Sequence, residues 1–292
     1  MTGIYTDIHC HGGGGYAFGS TVEGTLAALE AHREHGTARV VASLVSEPIE
    51  QTVAGLEVIR EAMRLDPAIL GVHLEGPFIA PSRKGAHDPA TLRLPTQSAV
   101  AELLDAGDGI IRQVTIAPEL DHAMEAIEQF VEAGVVVAVG HTEADAAMAR
   151  EAFDRGATLL THGFNAMRGI VAREIGPAGA AWADERVTIE LIADGIHVDP
   201  SLIAAVFRAA PGRVALMTDA MAAAASAPGR YLLGTLDVDV TEDGRAYVAG
   251  TQTLAGSTLT MDRAVEVCLA AGVPRQDVMA AATTTPERVL GY

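Results

Sequence analysis

Six side chains able to bind metals or move protons stand where strand-like segments of this sequence end. They are His9, His11, Glu75, His141, His162 and Asp219. Side chains alternate along a strand, so the imidazoles of His9 and His11 face the same way. Glu75 closes an apolar run directly before Gly76-Pro77, a pair that signals a turn. One such residue alone could be a hydrogen-bonded loop side chain. Nitrogen and oxygen donors repeated at several strand ends instead indicate a site for Zn²⁺, Mn²⁺, Co²⁺ or Fe²⁺.

Strand-like and helix-like segments alternate along the chain. The predicted strands are Ile4–His9, Arg39–Val45, Ile69–Glu75, Gln113–Pro118, Val135–His141, Thr158–His162, Val187–Ala193 and Val214–Asp219. The predicted helices are Thr21–His35, Thr52–Leu65, Thr96–Ala106, His122–Ala133, Ala144–Arg155 and Pro200–Ala209. Eight strands alternating with helices over about 250 residues predict an α/β fold, a (β/α)₈ TIM-like barrel with catalytic groups at the strands' carboxyl ends. A doubly wound sheet is the alternative, but no GxGxxG turn stands where it would need one.

The segments outside this alternation are short. Tyr231–Gly250 alternates apolar and polar residues around Asp243-Gly244, which predicts a small β-hairpin excursion after strand 8. Gly256–Ala271 and Thr285–Leu290 are predicted helices. The glycine run Gly12–Gly15 lacks the lysine and hydroxyl residue of a phosphate cradle, so we expect a flexible loop over the barrel mouth.

Composition excludes several function classes. The chain has 292 residues, 49% of them hydrophobic and 4% aromatic, which predicts an aliphatic core. Its net charge of −18 argues against nucleic acid or an anionic membrane as a partner. We find no signal peptide and no apolar run of membrane-spanning length. The two cysteines, Cys10 and Cys268, make no disulfide framework, so we expect a cytoplasmic protein with a single domain over residues 1–292.

These motifs together resemble the amidohydrolase superfamily, in which HxH on strand 1, histidines on strands 5 and 6 and an aspartate on strand 8 hold one or two metal ions. Many members bridge two metals with a carboxylated lysine on strand 4. The only lysine here, Lys84, lies in a loop after strand 3, which leaves Glu75 as the bridging group. The narrower resemblance is to the N-acetylglucosamine-6-phosphate deacetylases. Their blocks are similar, in order, to DIHCHGGGG, GVHLEGPFIAPSRKGAHDP, VTIAPE, VAVGHTEAD, THGFNAM, ELIADGIHVDP, LMTDAMAA and LAGSTLTMDRAV.

The resemblance implies a hydrolase that cleaves the N-acetyl amide of N-acetyl-D-glucosamine 6-phosphate to glucosamine 6-phosphate and acetate. It implies one divalent ion held by Glu75, His141 and His162, and a second held by His9 and His11 with Glu75 bridging. Zn²⁺ is the expected ion, with Fe, Mn or Co as alternatives. Asp219, beside the metal, is the expected general base and then acid. The residues implied to bind the substrate are Ala86, Asn165, Ala166, Arg173, Asp194, Gly195, His197, Leu254, Ala255 and Gly256.

Other expectations follow for single residues and for assembly. Arg173 is a credible phosphate clamp in an acidic chain, unless it forms a surface ion pair with Glu174. His73 is expected to be a hydrogen-bonded core group, and His32 to face solvent. Family members carry a β-sandwich domain built from segments flanking the barrel. We expect it to be absent here, which puts the usual homodimer in doubt.

Two other functions remain open. The chain could be a related amidohydrolase that acts on another N-acyl substrate. It could also be a non-catalytic barrel that binds a metal or a sugar phosphate.

Overall fold

The computed structural model describes residues 3–292, and in it eight parallel strands follow one another around a barrel. The strands are β1 Tyr5–Cys10, β2 Thr37–Leu44, β3 Ile69–Glu75, β4 Ile111–Ile116, β5 Val136–Val139, β6 Leu159–Leu160, β7 Thr188–Ile192 and β8 Val214–Met217. Each strand pairs in parallel with the next one in the chain. The (β/α)₈ prediction is confirmed.

The barrel closes between β1 and β8 through contacts at their carboxyl ends. The amide of Asp219 donates to the carbonyl of His9 at 2.8 Å. One layer below, the buried carboxylate of Asp7 accepts two hydrogen bonds from Thr218, one from the hydroxyl at 2.6 Å and one from the backbone amide at 3.2 Å. Closure therefore depends on residues that border the predicted site.

Helices cover the outside of the barrel. They are α1 Val22–Glu34, α2 Ile49–Leu65, α3 Gln97–Gly107, α4 Ala123–Glu132, α5 Ala146–Asp154, α6 Gly176–Ala183, α7 Pro200–Ala209, α8 Met261–Ala270, α9 Arg275–Ala282 and α10 Thr284–Val289. Thr21, Thr96, Asp145 and Asp199 cap their helices by accepting a first-turn amide. Helix α6 was not predicted, because its small apolar residues are mostly buried and show no polar stripe. Helix α9 was not predicted either.

Six strands end one or two residues earlier than predicted, and three of these ends lie beside predicted site residues. β5, β6 and β8 each stop two residues before His141, His162 and Asp219, respectively. Those three residues have left-handed backbones, with φ of 47°, 27° and 50°. Side chains other than glycine rarely adopt this conformation. The chain therefore turns out of each strand at the residue that the sequence marked for chemistry.

A small antiparallel sheet follows β8, as the predicted hairpin suggested. Its strands are β9 Gly229–Leu233, β10 Leu236–Val240 and β11 Ala246–Val248. The glycine run after β1 is a short hairpin rather than an open loop, because Gly12–Gly13 pairs with Tyr16–Ala17. Gly256 lies before α8 in a loop, where its φ of 58° and its approach to the Asp219 carbonyl exclude a side chain. Within residues 3–292, each helix is too short or too polar to span a membrane.

Replacing Thr218 by valine removes the hydroxyl that donates to Asp7 and leaves a buried carboxylate oxygen short of a partner. We expect the free energy of unfolding to fall by about 1–3 kcal/mol, as measured by urea denaturation. Thr284→Val, on an exposed position of α10, is the matched control. A loss below about 0.5 kcal/mol in Thr218→Val would contradict the role of this contact in closing the barrel.

Candidate active site

Glu75, the last residue of β3, lies at the centre of four imidazoles. Its Oε1 is 3.1 Å from Nε2 of His141 and 3.1 Å from Nε2 of His162. Its Oε2 is 3.2 Å from Nε2 of His11, and Nε2 of His9 lies 3.5 Å from Oε1. Imidazoles from three strand ends thus converge on the carboxylate at the end of a fourth.

Asp219 completes the cluster from the end of β8. Its Oδ1 lies 3.2 Å from Nε2 of His11 and 3.4 Å from Nε2 of His9. The donor atoms of these three residues and of Glu75 all lie within 4.8 Å of one another. On the other side of Glu75, the Nε2 atoms of His141 and His162 are 2.9 Å apart. Two adjacent groups of donors therefore share one carboxylate, and the structure brings all six predicted metal ligands together.

Hydrogen bonds at the far side of two rings fix which nitrogen faces Glu75. His141 donates from Nδ1 to the carbonyl of Arg83 at 2.7 Å. His9 donates from Nδ1 to the carboxylate of Glu190 at 3.2 Å. Since those oxygens only accept, Nε2 of either ring would, in the neutral form, carry a lone pair directed at Glu75. Lone pairs facing a carboxylate repel it unless positive charge lies between them.

The charges of the cluster lead to the same requirement. Glu75, Asp219 and Glu190 are buried, and among residues 3–292 their ion-pair partners are histidines alone. Burial raises the pKa of Glu75, but the surrounding histidines, above all His9, outweigh it and hold that pKa well below its usual value. Burial opposes charge on His9, yet the carboxylates hold its pKa well above its usual value. Protons or a cation must therefore neutralise the centre, and this imidazole and carboxylate set fits a divalent ion.

A cavity of about 260 Å³ opens above the cluster. Six of the predicted substrate-binding residues line it: Ala86, Asn165, Ala166, His197, Leu254 and Gly256. Leu233, at the end of β9, also borders it, so the small antiparallel sheet supplies part of one wall. Asp219, Glu75, His11, His141 and His162 form its floor.

The remaining predicted substrate residues lie outside this wall. Asp194 stands behind His197 and accepts its Nδ1–H at 2.6 Å, and Gly195 forms the turn between them. Ala255 is fully buried. Arg173 is exposed on the segment between β6 and α6 and does not border the cavity. Its suggested ion pair is not formed either, because Glu174 accepts backbone amides instead.

His87 lines the cavity and was missed by the sequence analysis. Its Nε2 lies 3.3 Å from Oε2 of Glu75. The amide of Ser46 donates to its Nδ1 at 3.1 Å, so Nε2 carries the hydrogen. Burial lowers the pKa of His87 to about 4, against the opposing effect of Glu75. His87 is therefore a neutral donor, and because it lies on a loop, strand-end reasoning could not find it.

Glu190 is the second residue that the sequence analysis missed. It is fully buried in β7, beneath the cluster, and its signal was visible as a lone carboxylate inside the apolar strand TIELI. His73, as predicted, is a buried group that bonds Ser43 and Thr115. The solvent-facing prediction for His32 is wrong. Its ring is buried and donates to the carbonyl of Gly12 at 2.8 Å, because α1 packs against the glycine hairpin.

Comparisons with known proteins agree with this geometry. The model described as "Amidohydrolase family" matches residues 2–292. N-acetylglucosamine-6-phosphate deacetylase of Bos taurus is 37% identical and aligns with 98% of this chain and 73% of its own length. N-acetylgalactosamine-6-phosphate deacetylase of Escherichia coli O157:H7 is 35% identical, over 98% of this chain and 77% of its own.

A solved structure is also similar to this chain. A mutant N-acetyl-D-glucosamine-6-phosphate deacetylase of Mycobacterium smegmatis, in complex with N-acetyl-D-glucosamine-6-phosphate, superposes with a TM-score of 0.95. It is 45% identical, and the match covers 99% of this chain and 77% of that one. The chain thus spans about three quarters of the length of these relatives.

Glu75→Gln removes the charge shared by the four imidazoles. We expect Zn²⁺ affinity to fall by more than roughly 100-fold, since loss of a partner behind a ligand already costs 10–100-fold. Chelator competition and metal content after dialysis measure this. Glu47→Gln, which alters a half-buried glutamate in a neighbouring cleft, is the matched control and should retain the metal. Equal affinity in the native and Glu75→Gln proteins would show that the cluster is not the metal site.

Proposed function

Because the chain belongs to the amidohydrolase family, we propose that it removes the N-acetyl group of N-acetyl-D-glucosamine 6-phosphate. The products are glucosamine 6-phosphate and acetate. The observation that carries this proposal is the convergence of four imidazoles on Glu75, with Asp219 beside them, at the floor of a sugar-sized cavity. Relatives named for the same reaction, similar over nearly the whole chain, support it.

The cofactor we propose is a divalent metal, as one or two ions, with Zn²⁺ expected and Fe, Mn or Co as alternatives. His141, His162 and Glu75 would hold one ion, and His9, His11 and Asp219 would complete a second site. When bound, such an ion polarises the acetyl carbonyl and lowers the pKa of a water molecule.

Asp219 carries the proton in this reaction. Burial raises its pKa, but the charge of His9 and the hydrogen bond of His11 outweigh that effect and hold the pKa below its usual value. The carboxylate is therefore ionised and can accept the proton of the attacking water. It then delivers this proton to the amide nitrogen, which otherwise leaves poorly.

The cavity wall orients the substrate. The neutral Nε2–H of His87 faces the cavity floor and can donate to an acetyl or sugar oxygen. Asn165 and His197, on the opposite loops, are the proposed partners of the sugar phosphate. Contact between Arg173 and the substrate phosphate stays a prediction. In this structure Arg173 does not border the cavity, so that contact requires the segment between β6 and α6 to move.

A second candidate substrate is N-acetyl-D-galactosamine 6-phosphate. A relative 35% identical over 98% of the chain is named for its deacetylation. The two sugars differ only in the configuration of one hydroxyl, so a comparison of their turnover decides between them.

The test is release of free amine from both sugar phosphates, beside unphosphorylated N-acetylglucosamine, by metal-loaded protein. We expect turnover that requires the phosphate, and a fall of about 10²–10⁴-fold in kcat in Asp219→Asn, because general acid and base catalysis is lost. Metal content of that variant is measured in parallel, since Asp219 also lies among the donors.

Asp237→Asn, at an exposed site in β10, is the matched control and should be fully active. No turnover of any of the three sugars by folded, metal-loaded protein would overturn the proposal. The open alternatives would then be another N-acyl substrate or a non-catalytic binding barrel.

Phosphate recognition should depend on the charge of His197. Burial opposes protonation of His197, but the hydrogen bond and charge of Asp194 outweigh it and raise its pKa. The His197 ring therefore stays protonated to a higher pH than an ordinary histidine, and it loses its charge as the pH rises through this raised pKa. We expect KM for the sugar phosphate to increase over that interval, with kcat less affected.

His197→Asn should have a high KM at every pH from about 6.5 to 9, where the phosphate is mainly a dianion. Steady-state kinetics across this range measure the effect. If KM of His197→Asn increased with pH as steeply as KM of the native protein, the role of His197 in binding the phosphate would be contradicted.

A further inference from the structure

Glu190 is a buried carboxylate for which the proposed reaction has no direct use. It lies in the middle of β7 and is fully buried. Its side chain shares a strand face with that of Ile192, which borders the cavity. Glu190 therefore points into the barrel one layer beneath the metal cluster.

The carboxylate of Glu190 joins three strands. Its Oε2 accepts the Nδ1–H of His9 at 3.2 Å and the amide of His162 at 3.3 Å. Its Oε1 accepts the side-chain amide of Gln113, on β4, at 2.8 Å. One oxygen thus contacts a residue from each of the two donor groups that share Glu75.

The position of Glu190 is costly without a matching positive charge. Among residues 3–292, its ion-pair partner is His9, and no lysine or arginine contacts it. A buried carboxylate costs several kcal/mol unless it is paired. A cation at Nε2 of His9 would provide that pairing through the ring, as in other carboxylate–histidine–metal arrangements.

We infer that Glu190 is a positioning residue that orients both halves of the metal centre. It fixes the ring of His9 so that Nε2 faces Glu75 and Asp219, and it holds the amide of His162, whose left-handed backbone turns that side chain toward His141. This inference rests on the proposed metal-dependent function. Glu190 touches no reacting atom and acts only through His9 and His162.

Gln113 makes a sharp test possible. Within residues 3–292, its Oε1 has no hydrogen-bond partner. In Glu190→Gln, the side chain of residue 190 has one NH₂ group and one oxygen. Rotation of the Gln113 amide would let the Gln113 oxygen accept from that NH₂ group, and the oxygen of residue 190 could still accept from His9 and His162. Glu190→Gln therefore keeps each hydrogen bond and removes only the charge. Glu190→Leu removes the charge and the bonds while keeping most of the volume.

The experiment measures Zn²⁺ dissociation constants by chelator competition in the native chain and three variants. We expect the constant to rise about 10-fold in Glu190→Gln and about 100-fold in Glu190→Leu, the range found for partners behind metal ligands. Thr188→Val changes a residue on the same face of the same strand and should leave the constant unchanged.

A second readout separates positioning from a general structural role. In the zinc-loaded protein, the ¹H signal of the His9 Nδ1–H should lie far downfield because a carboxylate accepts it. One histidine signal should therefore move upfield in Glu190→Gln and further in Glu190→Leu, with Thr188→Val unchanged.

Zn²⁺ affinity of Glu190→Leu within about threefold of native, with the melting temperature retained, would overturn the inference. Should the leucine variant not fold, the glutamine variant decides: weaker Zn²⁺ binding with a shifted signal supports the inference, and native values contradict it. Native protein that binds no metal would instead contradict the proposed function, so the two failures are distinguishable.

Discussion

An ionised carboxylate cannot remain in a dry protein interior unless positive charge surrounds it, and within residues 3–292 Glu75 meets this condition through imidazoles alone. The four rings come from three strand ends, because no single segment could surround the carboxylate. A closed barrel is the arrangement that presents so many strand ends to one point. The need to neutralise Glu75 therefore connects the fold, the burial of the cluster and the expected divalent ion.

The backbone at the strand ends bears part of the cost of this arrangement. The backbone is left-handed at His141, His162 and Asp219, where the chain leaves β5, β6 and β8. This conformation is unfavourable for residues other than glycine. Hydrogen bonds offset this strain: the amide of Asp219 donates to the carbonyl of His9, and that of His162 to Glu190. Both contacts orient the donors, and the one between Asp219 and His9 also holds the barrel closed, so a substitution at the site also affects stability.

Much of the fold and the six-residue cluster followed from sequence, because five of the eight strands end at or beside a chemically distinctive residue and helices separate the strands. The exact strand ends did not, since a φ near +50° at Asp219 has no sequence signal in a residue other than glycine. His87 lies on a loop, where no periodicity marks it. Burial of His32 depends on packing between α1 and a glycine hairpin distant from it in sequence. Six residues of the cavity wall were named from the sequence only through the family resemblance, because loops distant in sequence share no periodic pattern.

The closure of the barrel between β1 and β8 has a consequence for biosynthesis. Asp7 and Thr218 are separated by 211 residues, and their hydrogen bond forms only when the chain between them has been made and ordered. A nascent chain that stops before β8 contains five of the six donors but has no closed barrel to hold them. Such long-range contacts slow folding, and an ion that binds only the closed form stabilises it by mass action. Metal supply during translation would then influence how much of the chain escapes aggregation, before any substrate is present.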